Sequence, residues 1–289
     1  MATAKINGIE LFYEITGEGY PIVWSHEFAG DYRSWDPQVS FFSRLYQNVT
    51  YNNRGYPPSG VPTDPDAYSQ DQSVDDLHGL MQHLGLKDAH VAGLSMGGNV
   101  ALNFALKYPE LCRSIVVAGC GAGTTNRERF ERDVRQSVEL MQTKGMDAFV
   151  DLYAAGPTRQ PYLRKDPKGY QVFKEQFAAH STLGSALTFQ GVQLRRPPIY
   201  ELKDKMNRLT VPTLVLIGDE DEPCVDPAVF MKREIPTAGL VVIPQSGHTI
   251  NLEEPDAFNR AVLDFFRVVE AGKWPTRSLV TTELMPNRA

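Results

Sequence analysis

The residues with the clearest capacity for chemistry lie at positions 93–97, which read Gly-Leu-Ser-Met-Gly. This G-x-S-x-G pattern stands between a predicted strand and a predicted helix, the context in which it forms a nucleophile turn. Such a turn raises the Ser95 hydroxyl to the helix N-terminus, where the Met96 backbone N–H can donate to a developing oxyanion. A Gly-rich turn used only for packing is the alternative. The strand–helix context favours Ser95 as a nucleophile.

A serine nucleophile needs a general base, because its free hydroxyl reacts slowly. The six histidines of the chain are His26, His78, His83, His90, His180 and His248. Those in predicted helices or at the start of a strand are expected to be structural, and His180 can at most contact substrate. Only His248 follows the last predicted strand, in a turn at the same carboxyl edge of the sheet as Ser95. We therefore predict His248 as the base.

The third member of such a site is a carboxylate that holds the histidine in the correct tautomer. Asp221 lies three residues beyond Gly218, directly after a predicted strand and again at the carboxyl edge. Asp219 occupies the same acidic loop and is the second candidate. Acidic loops at strand ends are usually solvated, so the prediction of Asp221 depends on its place in the chain between Ser95 and His248.

These residues need a scaffold that brings several strand ends to one edge. Strands are predicted at 4–6, 9–15, 21–24, 48–51, 89–92, 114–118, 211–217 and 239–243, and helices at about 33–46, 73–84, 96–108 and 255–269. Asn7-Gly8 predicts a tight hairpin, and Ser73 with Asp76 predicts a capping box at the start of the second helix. The alternation predicts an α/β fold, a doubly wound and mostly parallel sheet with helices on both faces.

The alternation stops between residues 124 and 206, where apolar residues recur at helical spacing and no strand is indicated. A segment this long exceeds a plain loop and predicts a helical cap inserted after the sixth strand. The core is then expected to comprise residues 1–123 and 207–275. After Gly272 the chain is polar and without periodicity, which predicts a docked or loose tail with Trp274 as its anchor. Removal of residues 276–289, the C-terminal tail, is expected to cost little activity.

The composition excludes several classes of partner. The net charge is −6, which does not favour nucleic acid or an anionic membrane surface. The cysteines, Cys112, Cys120 and Cys224, are an odd number without metal-like spacing, which predicts reduced thiols in the cytoplasm and no metal. No apolar stretch predicts a signal peptide or a membrane span. The expected partner is a small-molecule substrate, and homo-oligomerisation stays open.

Taken together, the motifs resemble the α/β-hydrolase superfamily. Residues 93–98, 218–221 and 247–258 match its elbow, its acid loop and its histidine turn, with the triad in the family's order. Residues 51–59 resemble the superfamily's R-G loop, and residues 35–38 (Trp-Asp-Pro-Gln) fit the helix before it. The resemblance covers most of residues 3–270 and is closest to 3-oxoadipate enol-lactonase-like hydrolases, which also carry a helical cap.

The resemblance also indicates an oxyanion hole, with one departure. The family usually has His-Gly after the third strand, whereas this chain has His26-Glu27-Phe28. By position, the Phe28 N–H is the second oxyanion donor beside that of Met96. Because a carboxylate pointing at a developing negative charge would oppose it, we expect Glu27 to turn away and pair with Arg54. The competing expectation is that Glu27 faces the pocket and selects a substrate with a positive charge or a hydroxyl group.

The resemblance and the predicted triad of Ser95, Asp221 and His248 imply a serine hydrolase without cofactor. The expected substrate is a small or medium carboxylic ester or lactone, cleaved through an acyl-enzyme. A C–C bond hydrolase or a perhydrolase with the same triad, or a slow-turnover ligand receptor, are the alternatives. Apolar residues expected either to line the pocket or to pack the cap are Phe149, Leu152, Tyr153, Phe177, Leu183 and Phe189. Arg195 and Arg196 are predicted to be a solvated charge pair at the end of the cap, with contact to an anionic substrate as the alternative.

Overall fold

The computed structural model describes residues 2–278. Its sheet consists of β1 (Ala2–Ile6), β2 (Ile9–Thr16), β3 (Tyr20–Ser25), β4 (Tyr46–Tyr51), β5 (Ala89–Leu94), β6 (Cys112–Ala118), β7 (Thr213–Gly218) and β8 (Ala238–Ile243). The spatial order is β1-β2-β4-β3-β5-β6-β7-β8. β2 is antiparallel to both of its neighbours and all the other pairs are parallel. The predicted α/β architecture is confirmed.

The N-terminal hairpin forms as the Asn7-Gly8 signal predicts. Asn7 has φ 46° and Gly8 has φ 83°. Two consecutive residues with positive φ form the two-residue hairpin turn whose twist matches that of the flanking strands. The register pairs Ile6 with Ile9 across the turn. This hairpin supplies the antiparallel edge of the sheet.

The helices are α1 (Asp36–Phe42), α2 (Gln70–His83), α3 (Met96–Lys107), α4 (Arg127–Ala154), α5 (Gln160–Lys165), α6 (Pro167–Ala178), α7 (Thr182–Thr188), α8 (Lys203–Met206), α9 (Glu222–Glu234), α10 (Ile250–Glu253) and α11 (Pro255–Glu270). Side chains of α2, α3 and α9 join the apolar core on one face of the sheet. Those of α1 and α11 join the core on the other face. Within residues 2–278 no helix combines the length and the apolar character needed to cross a bilayer.

Helix α2 begins one turn earlier than the capping box at Ser73 predicts. The N-cap is Ser69, whose hydroxyl accepts a hydrogen bond from the Gln72 backbone N–H at 3.0 Å. Residues 69–72 read Ser-Gln-Asp-Gln, a second S-x-x-Q capping signal that the prediction passed over. Ser73 instead lies inside the helix and bonds back to the Ser69 carbonyl.

The segment between β6 and β7 is built from helices α4 to α8, short 3-10 turns and one π-helical turn at Phe189–Gln193. Helix α4 is interrupted at Gly145, whose φ of 83° breaks the helical path. The apolar side chains of this segment form a cluster with Phe28 and Met96 of the core. It therefore covers the carboxyl edge of the sheet. The assignment of 124–206 as a separate cap domain stays a prediction, and we use "cap" for this segment.

The chain continues to pack on the core after α11. Trp274 Nε1 donates to the Thr237 carbonyl at 2.7 Å, and the Arg277 backbone N–H donates to the Pro236 carbonyl at 3.0 Å. The predicted tail boundary at residue 276 therefore falls within a docked stretch. Most of the predicted tail, residues 279–289, lies outside the described residues.

Candidate active site

Ser95 sits in a strained turn at the start of α3. Its φ of 55° and ψ of −108° are unusual for a residue with a side chain, and such strain persists only where the surroundings enforce it. The Ser95 N–H donates to the Ala118 carbonyl at 2.8 Å. A Cβ on Gly97 would lie 1.9 Å from the Ser25 carbonyl oxygen, so only glycine permits this close approach. The turn therefore has the shape that the G-x-S-x-G pattern predicts.

The structure brings His248 and Asp221 together. The Nδ1–H of His248 donates to Asp221 Oδ2 at 2.7 Å, and both side chains are buried. Asp219, the second candidate, instead accepts a hydrogen bond from the Ser246 backbone N–H at 3.2 Å. With Nδ1 carrying the proton, the Nε2 atom of His248 is left as an acceptor. No hydrogen bond joins it to the Ser95 hydroxyl among the described residues.

A cap turn contacts the histidine directly. The His248 backbone N–H donates to the Thr158 carbonyl at 2.9 Å, and Thr158 belongs to a 3-10 turn at Pro157–Arg159. A Cβ on Gly247 would lie 2.1 Å from that carbonyl oxygen. Glycine at 247 therefore allows the cap to approach the histidine turn.

The expected oxyanion loop is fixed by His26. Its Nδ1–H donates to the Glu27 carbonyl at 2.7 Å, and its Nε2 accepts from the Asn53 backbone N–H at 3.0 Å. Burial lowers the pKa of His26 to about 4, so the ring is neutral at pH 7 and keeps this tautomer. The Glu27 carbonyl and the Phe28 N–H belong to one peptide plane. His26 therefore sets the direction of the Phe28 N–H.

Two buried backbone amides are free to donate at this place. Within residues 2–278 neither the Phe28 N–H nor the Met96 N–H has a protein acceptor. Both residues are buried, and Met96 is the first residue of α3, where backbone N–H groups have no intrahelical partner. They are the two amides that the sequence predicts as oxyanion donors.

The predicted Glu27–Arg54 ion pair is wrong. Arg54 instead forms a bidentate pair with Asp76 of α2, with Nε–Oδ2 and Nη2–Oδ1 distances of 2.6 and 2.8 Å. Glu27 pairs with Arg159 of the cap, with Nη1–Oε1 at 2.9 Å and Nη2–Oε2 at 2.5 Å. Glu27 is paired with a cation, as expected, but this cation lies 132 residues away in the chain. The expectation that Glu27 turns away from the site is also wrong, because its Oε2 atom lies 3.9 Å from His248 Nε2. No local pattern marks Arg159.

The Arg54–Asp76 pair yields a stability prediction. Asp76→Asn leaves the buried Arg54 guanidinium without its counter-charge, which is expected to cost about 3–5 kcal/mol of the free energy of unfolding. Urea unfolding followed by circular dichroism measures this. The control is Asp75→Asn, which removes the exposed pair with Lys107 and should cost no more than about 1 kcal/mol. Equal effects of the two substitutions would contradict the assignment.

An aromatic cluster covers residues 26–28, the expected oxyanion loop. The Phe28 ring stacks on Phe189 of the cap, with ring centroids 3.8 Å apart and an interplanar angle of 13°. Further aromatic rings around Phe28 are Tyr56, Phe149, Tyr153 and Phe177. The other two predicted candidates for the pocket do not take part, because Leu152 is 63% and Leu183 is 43% exposed.

The two cap arginines differ from each other. Arg195 is 59% exposed, as predicted. The prediction for Arg196 is wrong: it is buried and donates to the Ala122 carbonyl at 3.2 Å. Its guanidinium packs at the cap–core boundary, 6.0 Å from the Phe130 ring centroid.

One group of side chains has a metal-like composition. Ligand atoms of Asp221, Cys224 and His248 lie within 4.8 Å of one another. Burial raises the pKa of the Cys224 thiol well above its ordinary value, and a thiol must lose its proton to bind a metal. A metal there would also break the His248–Asp221 hydrogen bond. The geometry therefore fits a carboxylate that orients a histidine better than a metal centre.

The alpha/beta hydrolase fold family matches residues 20–255, and the chain belongs to this family. It is 24% identical over 242 residues to 3-oxoadipate enol-lactonase 2 of Acinetobacter baylyi, covering 83% of this chain and 86% of that protein. The structure is similar to an enol-lactonase from Burkholderia xenovorans, with a TM-score of 0.81, 26% identity and coverage of 92% and 99%. It is also similar to a thermophilic esterase from Thermogutta terrifontis, with a TM-score of 0.83, 28% identity and coverage of 93% and 99%. The family and these relatives support hydrolase activity.

Proposed function

We propose that this chain is a serine hydrolase that cleaves a small or medium, uncharged carboxylic ester or lactone through an acyl-enzyme. The observation that carries the proposal is the 2.7 Å His248–Asp221 hydrogen bond at the same sheet edge as the strained Ser95 turn. A histidine with Nδ1–H held by a carboxylate presents Nε2 as a base, which a serine nucleophile requires.

The proposed reaction has two halves. Ser95 Oγ attacks the acyl carbon while His248 Nε2 accepts its proton, and the Phe28 and Met96 amides donate to the oxyanion. The imidazolium then protonates the leaving alkoxide, and water repeats the sequence to release the acid. The N-terminus of α3 adds a favourable field at the oxyanion.

The charges around the site favour a neutral substrate. Glu27 and Arg159 satisfy each other, so that neither is available as a partner for a charged acyl group. The surrounding rings of Phe28, Phe149, Phe177 and Phe189 are apolar. Burying an unpaired carboxylate against such a surface is costly. The esterase and enol-lactonase activities named for the relatives agree with ester or lactone chemistry.

Burst kinetics and mass spectrometry test the proposal. p-Nitrophenyl butyrate is expected to release one p-nitrophenol per active site in a burst, with the butyryl group mapped to Ser95. The hemisuccinate ester, which carries a carboxylate, should have a kcat/KM that is lower by a factor of about ten or more. A desolvation cost of about 1.4 kcal/mol for the carboxylate is sufficient for a tenfold decrease. Turnover without acylation of Ser95 would refute the mechanism. Binding without turnover would support a receptor, and faster cleavage of vinylogous diketones a C–C hydrolase.

A further inference from the structure

Glu27 lies beside the catalytic nitrogen of the proposed base. Its Oε2 atom is 3.9 Å from His248 Nε2, and the same oxygen is 2.5 Å from Arg159 Nη2. Both Glu27 and Arg159 are 1% exposed. His248 thus lies between two carboxylates, Asp221 at Nδ1 and Glu27 near Nε2. Among the described residues, Glu27 alone of the two is paired with an arginine.

Arg159 keeps Glu27 ionised and occupied. Burial by itself would raise the pKa of Glu27, but the Arg159 guanidinium outweighs this effect and holds the pKa below its ordinary value. The guanidinium is held in turn by the Tyr153 hydroxyl at 3.2 Å, and it faces the Tyr153 and Phe173 rings at 5.2 Å. The Glu27–Arg159 pair is therefore held in place and shielded from water, and electrostatic interactions are strong in such an environment.

Without Arg159, Glu27 would interfere with the base in either protonation state. As a lone anion it would stabilise the imidazolium form of His248 before substrate binds. As a neutral acid it would donate a hydrogen bond to Nε2. In both protonation states of Glu27 the lone pair of His248 Nε2 is engaged, so that it cannot accept the Ser95 proton.

The other titratable groups around this centre do not supply a replacement cation. They are Asp221, Cys224, His26, Tyr56, Tyr153, Glu253 and Lys165, and the Lys165 ammonium is already paired with Glu254 at 2.6 Å. Burial lowers the pKa of His26 to about 4 and raises the pKa of both Cys224 and Tyr153, so these three are neutral at pH 7. Glu253 is an acid, which accepts from the Gly247 backbone N–H at 2.7 Å. Arg159 is thus the neutralising charge next to Glu27 among the described residues.

We propose that Arg159 is a positioning residue of the cap, which by pairing with Glu27 keeps Nε2 of His248 free to accept the Ser95 proton. This inference rests on the proposed function. The 3-10 turn that carries Arg159 also accepts a hydrogen bond from the His248 backbone N–H through the Thr158 carbonyl. Docking of the cap is therefore coupled to the ability of His248 Nε2 to accept a proton.

The test is the acid limb of kcat/KM for p-nitrophenyl butyrate, where activity falls as His248 takes up a proton. Arg159→Gln should move this limb to higher pH by about one unit or more, because it leaves an uncompensated acid beside Nε2. Glu27→Gln should move it to lower pH, because a lone Arg159 opposes the imidazolium. The Glu27→Gln/Arg159→Gln double variant should return the limb towards its wild-type position.

Two further variants separate charge from packing. Arg159→Lys keeps the cation and should leave the limb in place. Arg164→Gln removes an exposed arginine of the same cap segment, paired with Glu220 at 2.6 Å, and should also leave it in place. Circular dichroism and labelling by a fluorophosphonate probe establish the folded and reactive fraction of each variant.

A merely structural role for Arg159 predicts losses of activity without opposite shifts of the limb, and that result would overturn the inference. The two proposals fail in different ways. Full activity of Ser95→Ala would reject the proposed function itself. An inactive Ser95→Ala together with a fixed acid limb in all the Glu27 and Arg159 variants would reject only the role of Arg159.

Discussion

Ser95→Ala is expected to lower kcat for p-nitrophenyl esters about 10⁴-fold or more, the loss typical of a removed triad nucleophile. The physical reason is that the proposed covalent acyl-enzyme cannot form, while the Phe28 and Met96 amides, the proposed oxyanion donors, should still bind a carbonyl oxygen. Steady-state turnover of wild-type and variant protein, normalised to the folded fraction, measures the effect.

The fold should tolerate this change. The Ser95 side chain does not cap α3, and its removal opens only a small volume. Ser114→Ala is a suitable control, because Ser114 is a buried serine of β6 that bonds to His90 Nδ1 at 2.7 Å. It should lower stability and spare kcat. If Ser95→Ala kept more than a few per cent of wild-type turnover, another residue would have to be the nucleophile.

The Ser95 turn could be predicted from sequence because its determinants are local. Glycines at 93 and 97 are required by the contact of strand and helix, and β5 and α3 are marked by their own apolar patterns. The same alternation of strand and helix patterns predicted a mostly parallel sheet with helices on both faces, but not the order of its strands. Features fixed by neighbours in the chain were therefore predicted well.

The partner of Glu27 could not be predicted, because it depends on how the cap docks. Arg54 was predicted because it lies in the loop after the adjacent strand, yet its guanidinium pairs with Asp76 of α2 at 2.6 Å. Arg159 follows Gly156 and Pro157 in a 3-10 turn without any catalytic motif. Its position depends on contacts between segments more than 80 residues apart, which no pattern in a single sequence encodes.

The inward faces of the cap helices were predicted only in part. Phe149 and Leu152 both fit an apolar helix, but Leu152 lies on the solvent side. The break of α4 at Gly145 resets the helical phase, so the periodicity before that residue does not define which face is buried after it. The prediction for Arg196 failed for a related reason, because its guanidinium is buried where the cap meets the core and donates to the Ala122 carbonyl, a contact that depends on how the two segments pack.

Asp221, the proposed orienting carboxylate of His248, is the second residue whose substitution should strongly lower kcat. Asp221→Asn is expected to reduce kcat on the order of 10⁴-fold, as in other triads where the orienting carboxylate becomes an amide. An asparagine that offers its NH₂ group to Nδ1 requires a lone pair there, which places the proton on Nε2. That nitrogen then cannot accept the Ser95 proton.

The structure provides the matched control for this substitution. Asp219→Asn alters a side chain that, within residues 2–278, accepts a hydrogen bond only from the Ser246 backbone N–H at 3.2 Å. An amide oxygen can accept the same bond, so the effect on kcat should be mild. The Asp221 side chain makes no capping hydrogen bond to α9, so the loop should keep its shape in both variants.

Steady-state kinetics of the two variants, measured side by side, decides which aspartate orients His248. A severe loss for Asp219→Asn with a mild one for Asp221→Asn would transfer the orienting role to Asp219. Two mild effects would show that His248 does not depend on this loop for its tautomer.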